Sequence, residues 1–143
     1  MREQEGMTII VKTGIRILSG LLMMYGIYII LHGHLTPGGG FPGGVIIAGS
    51  FISYLLAYGG KQGYARIRKT MLSIFEGFGG IMFASIAMLG FTGGIFFRNF
   101  LGKGEPFALF SSGIIPFCNI AIGLKVACGL FTMFISFLLL SED

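Results

Sequence analysis

Four charged side chains stand inside long apolar runs of this chain, and any chemistry it performs must start with them. Lys12 and Arg16 interrupt the first run, Glu76 the third and Lys125 the last. A charged group at the bilayer centre costs roughly 2.5–3.5 kcal/mol on insertion, so each needs a partner, water or a function. A lone carboxylate such as Glu76 can hold and release a proton or accept a cation. A lysine can neutralise such an acid or lose its own proton. Two imidazoles, His32 and His34, stand at i, i+2 where the first run ends. Without Cys or acidic company they make a weak metal site, and no metal is expected here. Hydrogen bonding or plain exposure is the ordinary role of such a pair, although either ring can titrate near neutral pH and touch a proton route.

Other chemistries are missing. The sequence has no paired carboxylates, no nucleophile with a base, no nucleotide motif and no cysteine cluster, so it reads as non-enzymatic and without a cofactor. Cys118 and Cys128 are ten residues apart. On a helix that is about 15 Å of rise, beyond disulfide reach, and both read as small buried hydrophobes.

The elements that carry these groups must be membrane helices. The chain has 143 residues, 54% of them hydrophobic and only 11% charged, with a mean hydropathy of +0.86. Ordinary soluble domains carry about 25% charged residues. A soluble fold of one domain's length has too little interior for so much apolar surface, so its solvent is lipid. The net charge of +4 is no nucleic-acid signal, because the basic residues gather at helix ends. The expected fold is all-α and integral to the cell membrane: a single domain over 1–143, with four transmembrane helices at about 7–31, 43–58, 71–89 and 117–140.

Between the first two helices lies His32-Gly33-His34-Leu35-Thr36-Pro37-Gly38-Gly39-Gly40-Phe41-Pro42-Gly43-Gly44. Its six glycines and two prolines argue against regular helix and for a tight connector whose bare backbone others can approach. It is no phosphate loop, since no Gly-Lys-Ser/Thr follows it. Its carbonyls could solvate a cation or water, its helix-start N–H groups could face an anion, or it could be a structural turn. Gly49, Ser53 and Ala57 fall at i, i+4, i+8, and Gly80 and Ala84 at i, i+4, spacings that let another helix approach closely in lipid. Lys61, Arg66, Arg68 and Lys69 form a basic loop. Residues 95–116 mix Arg98, Lys103 and Glu105 with Phe96, Phe97, Phe100, Phe107 and Phe110, as a segment at the interface or against a partner would. With Arg2, Lys12 and the 61–69 cluster on one side and only Arg98 and Lys103 on the other, the positive-inside rule makes both termini cytoplasmic and the connector outward-facing. Tyr25, Tyr28, Tyr54, Tyr58 and Tyr64 are the candidates for an aromatic belt.

Depths along these helices set expectations for pairing. Lys12 and Arg16 lie about 7 and 13 Å above Met7, and Glu76 lies about 7 Å above Met71, so Glu76 is expected to pair with Lys12 or Arg16 unless Lys12 and Glu76 both reach water. Lys125 lies about 22 Å from Leu140, near mid-membrane, with no acid of this chain level with it. A carboxylate on another subunit is its expected partner, in a proton or cation path or as a tether between subunits.

The stretch Gly33 to Gly44 resembles the signature of the MnhB/MrpB family, small membrane subunits of multisubunit Mrp sodium/proton antiporters. The pattern Gly-His-x-x-Pro-Gly-Gly-Gly-Phe-x-Gly-Gly, closing one apolar helix and opening the next, is long and specific, and the likeness in helix number, length and basic loop covers nearly the whole chain. Pro37, Gly38, Gly39, Gly40, Phe41, Gly43 and Gly44 are then the motif residues. The resemblance implies a small four-helix subunit docked against larger proton-pumping subunits, with relatives in archaeal membrane-bound hydrogenase and sulfane reductase complexes. Bacterial members tend to open the last helix with an acidic Phe-Asp-x-Gly-like pattern, where this chain has Phe117-Cys118-Asn119 and, further on, Lys125. The missing acid and added lysine point to the archaeal respiratory branch, and the scarcity of Asn and Gln points to a thermophile.

The expected function is a non-catalytic subunit contributing to the cation or proton path of a Na+/H+ antiporter module, probed through Lys125, Glu76, Arg16, Lys12, His34, His32 and Asn119. Its expected partners are other membrane subunits, lipid, Na+ and H+, with no nucleic acid. The MrpB subunit of a free-standing antiporter, or a scaffold without an ion path, are the alternatives.

Overall fold

Apolar runs of about 20 residues in lipid must satisfy their own backbone groups, and the helix does so within each run. The computed structural model describes residues 7–59, 62–99, 101, 104 and 112–141, the side chains of 62–68 and 92 excepted. Arg2, Lys61, Phe100, Lys103, Glu105, Phe107, Phe110 and the side chains of Tyr64, Arg66 and Arg68 lie outside the described residues. The helices are α1 (Ile9–His32), α2 (Gly40–Tyr58), α3 (Gln62–Leu89) and α4 (Ile115–Ser141), with a 3-10 turn at Gly90–Gly93 after α3. Each of the four holds a segment long and apolar enough to cross a membrane, that of α3 being Lys69–Leu89.

Two boundaries differ from expectation. Helix α2 begins inside the glycine stretch, at Gly40, and Pro42 sits in its first turn, where its missing N–H has no helical partner to lose. Helix α3 begins at Gln62 and not Met71, so the basic segment taken for a loop is helical. Ala, Arg, Lys and Gln are good helix formers, so the polarity of these first two turns does not make them coil. Helix α4 gains Ile115 at its start, with Pro116 in the first turn.

The chain runs up α1, down α2, up α3 and down α4. Helix α2 packs between α1 and α4; α3 packs on the far side of α4; among the described residues α1 touches α2 and α4 but not α3. At one end the Met7 N–H donates to the Ala57 carbonyl at 3.0 Å and the Tyr58 hydroxyl reaches the Lys12 carbonyl at 3.5 Å, tying the start of α1 to the end of α2.

Lipid supplies no hydrophobic drive for helices to associate, so close packing must. Glycines set it here. Ile30 of α1, only 8% exposed, lodges between Gly43 of α2 and Gly123 of α4. A Cβ on Gly44 would stand 2.7 Å from the Gly123 carbonyl oxygen, and one on Gly26 would stand 2.7 Å from Ile47 Cγ1. Farther along the α2–α4 contact, Phe51 and Phe131 rings meet at 5.7 Å. The buried Ser50 hydroxyl donates to the Ser19 carbonyl of α1 at 2.7 Å, so its one polar group is satisfied inside the interface. The expected stripe Gly49-Ser53-Ala57 does not act as a unit. Ala57 is buried, but Gly49 meets nothing within 4 Å and floors an open apolar groove of about 440 Å³ between α2 and α4, walled by Val45, Ile52, Met133 and Phe137. Gly80 faces Lys125 of α4, whereas Ala84 is exposed. Helix rotation, which spacing alone leaves open, decided which small residues touch.

Overfilling this junction is expected to cost about 1–3 kcal/mol per site, or more where backbone blocks relaxation. Gly44→Val and Gly123→Leu should each lower the detergent-unfolding midpoint clearly, while Gly49→Val, pointing into open space, should leave it within about 0.5 kcal/mol of the parent.

Candidate functional site

Two places gather polar groups. The first is the connector. After α1 ends, the Leu35 and Thr36 N–H groups donate to the His32 carbonyl at 2.9 and 3.0 Å, and the Thr36 hydroxyl adds a third bond to it at 3.1 Å. Thus one carbonyl holds the turn. His32 stacks on Tyr28 with ring centroids 4.2 Å apart, its Nδ1 3.2 Å from the Tyr28 carbonyl oxygen. His34 is half-buried in the turn itself. Gly39 then takes φ +127°, a conformation open only to glycine in practice, and its carbonyl accepts the Gly43 N–H at 3.2 Å.

Asn119 of α4 backs this turn. Its Nδ2 lies 3.0 Å from the position a Cβ would take on Gly33, its Oδ1 3.7 Å from that of Gly39, and its backbone carbonyl abuts Gly40. The Nδ2 is buried and has no hydrogen-bond partner. The structure therefore brings Asn119 together with the motif glycines, four of which, Gly39, Gly40, Gly43 and Gly44, are buried. Pro37 and Gly38 are exposed, and Phe41 stands out from the helix start at 63% exposure, an apolar ring offered to lipid or a neighbour.

The second place is the seam between α3 and α4. Gly79 of α3 lies against the Lys125 backbone and Cβ, the Lys125 Nζ is 3.5 Å from the Cβ position of Gly80, and the Glu76 carboxylate is 3.4 Å from that of Gly129. Glu76 and Lys125 are thus one turn apart on facing helices. Cys128 and Thr132 continue the same face of α4, and the Thr132 hydroxyl is buried without a partner.

This overturns two expectations. Glu76 does not pair with Lys12 or Arg16, because α1 and α3 stand on opposite sides of the α2–α4 pair. Lys12 turns to its own neighbour instead, with Nζ 5.9 Å from the Tyr58 ring centre, a cation–π approach. Arg16 is exposed on α1. Nor is Lys125 without an acid of this chain at its level. Counted from Gln62, Glu76 is about 21 Å along α3, and Lys125 is about 24 Å from the end of α4. What puts Glu76 within one turn of Lys125 is the packing of α3 on α4 through Gly79 and Gly129, which counting along single helices does not give. His32 and His34, at the connector, and Lys12 and Arg16, at the opposite end of α1, do not join this seam. Among the described residues no three His, Cys, Asp or Glu side chains come together as a metal site.

Ile30, Gly79 and Gly129 were not singled out from sequence, and Tyr58 and Gly80 only as a belt residue and half of a small-residue pair. Gly79, Gly80 and Gly129 carried a readable signal, since small residues flanking an intramembrane charge leave room for its side chain.

The model of a domain related to the MnhB subunit of Na+/H+ antiporters matches residues 10–132. An uncharacterised protein of Methanocaldococcus jannaschii is 38% identical over 122 residues, covering 80% of this chain and 46% of that protein. A Na+/H+ antiporter subunit of Bacillus subtilis is 32% identical over 114 residues, 73% of this chain and 79% of that one. A chain in the structure of the membrane-bound sulfane sulfur reductase, an archaeal respiratory membrane complex, superposes with a TM-score of 0.78 at 32% identity, covering 96% of this chain and 60% of that chain. The chain therefore spans under half of the methanogen protein and three fifths of the reductase chain.

If Asn119 props the connector, Asn119→Ala should loosen it. Hydrogen exchange followed by mass spectrometry should then speed about tenfold across Leu35–Gly43, equivalent to roughly 1.4 kcal/mol, with the centre of α3 unaffected.

Proposed function

The chain belongs to the MnhB family of Na+/H+ antiporter subunits, and on that footing we propose that it is a multi-pass, non-catalytic subunit contributing to the cation and proton path of a respiratory complex of the archaeal hydrogenase or sulfane reductase type. The observation that carries this reading is the match in fold and sequence to the reductase-complex chain over 96% of the present one. The chain's own surface is consistent with it. Helices α1 and α3 leave apolar side chains such as Ile17, Leu21, Met24, Phe78, Ile81 and Met88 exposed, more than a subunit working alone requires but natural for one walled by neighbours and lipid. In this reading the termini are cytoplasmic, following the charge asymmetry, and Na+ and H+ are the transported ions. Glu76 and Lys125 are the side chains best placed to meet a proton or cation within the membrane.

A second reading rests on the Bacillus subtilis relative, an antiporter subunit of which 79% is matched. It makes this chain the corresponding subunit of a free-standing antiporter. Both readings make a small subunit of a larger machine, and they differ in what supplies the energy.

Inverted vesicles holding the complete complex should show Na+-dependent proton movement, and vesicles from cells lacking this chain should lose nearly all of it. Substrate-driven proton movement in the same vesicles separates the two readings: present for a respiratory complex, absent for a free-standing antiporter. Exchange that survives loss of the chain would refute an ion-path role and leave a scaffold.

A further inference from the structure

Lys12 and Arg16, the only lysine and arginine of α1, stand one turn apart, about 5 and 11 Å into the helix from Ile9. Glu76 is the one acid among the described residues, and it lies on α3, which α1 does not touch. Among those residues the Arg16 guanidinium makes no hydrogen bond or ion pair, and the Lys12 ammonium has only the Tyr58 ring, 5.9 Å away. The surroundings are fixed. The Met7–Ala57 bond ties the start of α1 to the end of α2, and the Tyr58 hydroxyl donates to the Lys12 carbonyl at 3.5 Å, which sets the ring beside the ammonium. Tyr54 stacks on Tyr58 with ring centroids 4.5 Å apart. Tyr54 and Arg16 are each one turn from the Ser50–Ser19 contact, toward the same end. Two cations and two exposed phenols therefore gather where α1 enters the membrane. Helical Cα–Cβ bonds tilt toward the N-terminus, so both long side chains lean toward the start of α1 and the headgroup layer. Tyrosine suits that layer, with a ring for the acyl region and a hydroxyl for water. Helix α3 starts at the same end, and its first two turns carry Arg66, Arg68 and Lys69 and no acid.

We propose that Lys12 and Arg16, flanked by Tyr54 and Tyr58, form a site for the headgroup of an anionic phospholipid. The phosphate sits between the two cations. They are four residues, about 6 Å, apart along the helix, a gap that one phosphate spans. The planar guanidinium takes two of its oxygens, and the ammonium binds as a point charge. The Tyr58 ring steadies the ammonium without using any of its N–H donors. Beyond Arg16 the same face of α1 continues through Gly20, Met23 and Ile27 at helical spacing, all exposed. Nothing stands within 4 Å of the Cβ position of Gly20, so this face offers the acyl chains an apolar bed with a shallow hollow. A zwitterionic headgroup brings its own cation to a place that already holds two, and it binds less well. Lipid in this way supplies the negative charge that no described acid supplies, at a depth where unpaired cations are costly. The site concerns the chain in a bilayer and does not depend on the function proposed above.

The test uses the full chain in neutral detergent, with native mass spectrometry counting bound phosphatidylglycerol or phosphatidylcholine of matched acyl chains. The wild type should hold one phosphatidylglycerol about tenfold more tightly than phosphatidylcholine, and the preference should shrink as salt rises. The double substitution Lys12→Gln with Arg16→Gln should bring the preference within about twofold, with each single substitution in between. Arg16→Lys, which keeps the charge, should retain most of it, and Arg98→Gln, at the opposite end of the bundle, should leave it unchanged. A wild type that does not distinguish the two lipids, or a preference that survives the double substitution, would overturn the proposal. Unfolding midpoints guard against misfolding. Added phosphatidylglycerol should raise the midpoint of the wild type and of Arg16→Lys but not that of the double variant, whose midpoint in detergent alone should match the parent. An equal rise in the double variant would count against the site. A carboxylate on another subunit is the rival partner for Arg16. In phosphatidylcholine bilayers Arg16→Gln would then release the chain from the complete complex, and such release would overturn the lipid site, which requires the complex to stay together.

Discussion

The fold depends on three backbones coming close enough for a single isoleucine to fill the space between them. Ile30 of α1 occupies a hollow that exists only because Gly43 and Gly123 lack side chains. In water, burial of apolar area would draw such helices together even with imperfect fit. In lipid the tails are as apolar as the side chains, and what remains is dispersion at short range, which falls away over fractions of an ångström. The glycine-rich motif is therefore a packing code before it is anything else. It ends α1, turns through Gly39, and starts α2 with a smooth face against α4.

That arrangement has a consequence for the charges. Placing α2 and α4 at the centre separates α1 from α3, which keeps Lys12 and Arg16 apart from Glu76. The chain's polar groups divide into a connector site at one end, where Asn119 backs the turn, and a seam at mid-depth, where Glu76 and Lys125 share a glycine-lined contact. The same device, a missing Cβ, serves tight packing in the first place and side-chain freedom in the second. Glycine's role depends on whether the facing group is a branched hydrocarbon or a long charged chain.

Family membership and local structure agree on the motif and part company at the last helix. Asn119 stands where bacterial relatives were expected to carry an acid, and here it meets the connector backbone with an amide that has no protein partner. An amide can accept and donate without charge, so it can sit against carbonyls and N–H groups alike at a depth where an ion would need a counter-ion. The intramembrane acid of this chain is on α3 instead, opposite the added lysine.

By itself the sequence determined the solvent, the number of helices, the motif and hence the family, because hydropathy and a long glycine signature are properties of the chain read along its length. It also placed Glu76 and Lys125 within the membrane. It did not determine where α2 and α3 begin, since glycine and proline in a first turn and a basic segment at a helix start have local propensities that speak of loop. Nor did it determine which charges meet. Pairing depends on helix order and rotation: α3 packs on α4 and not on α1, and that packing sets Glu76 beside Gly129, one turn from Lys125. Tertiary packing decided these matters because in lipid only the fit between faces selects among neighbours, and fit is a property of surfaces that no one segment carries alone.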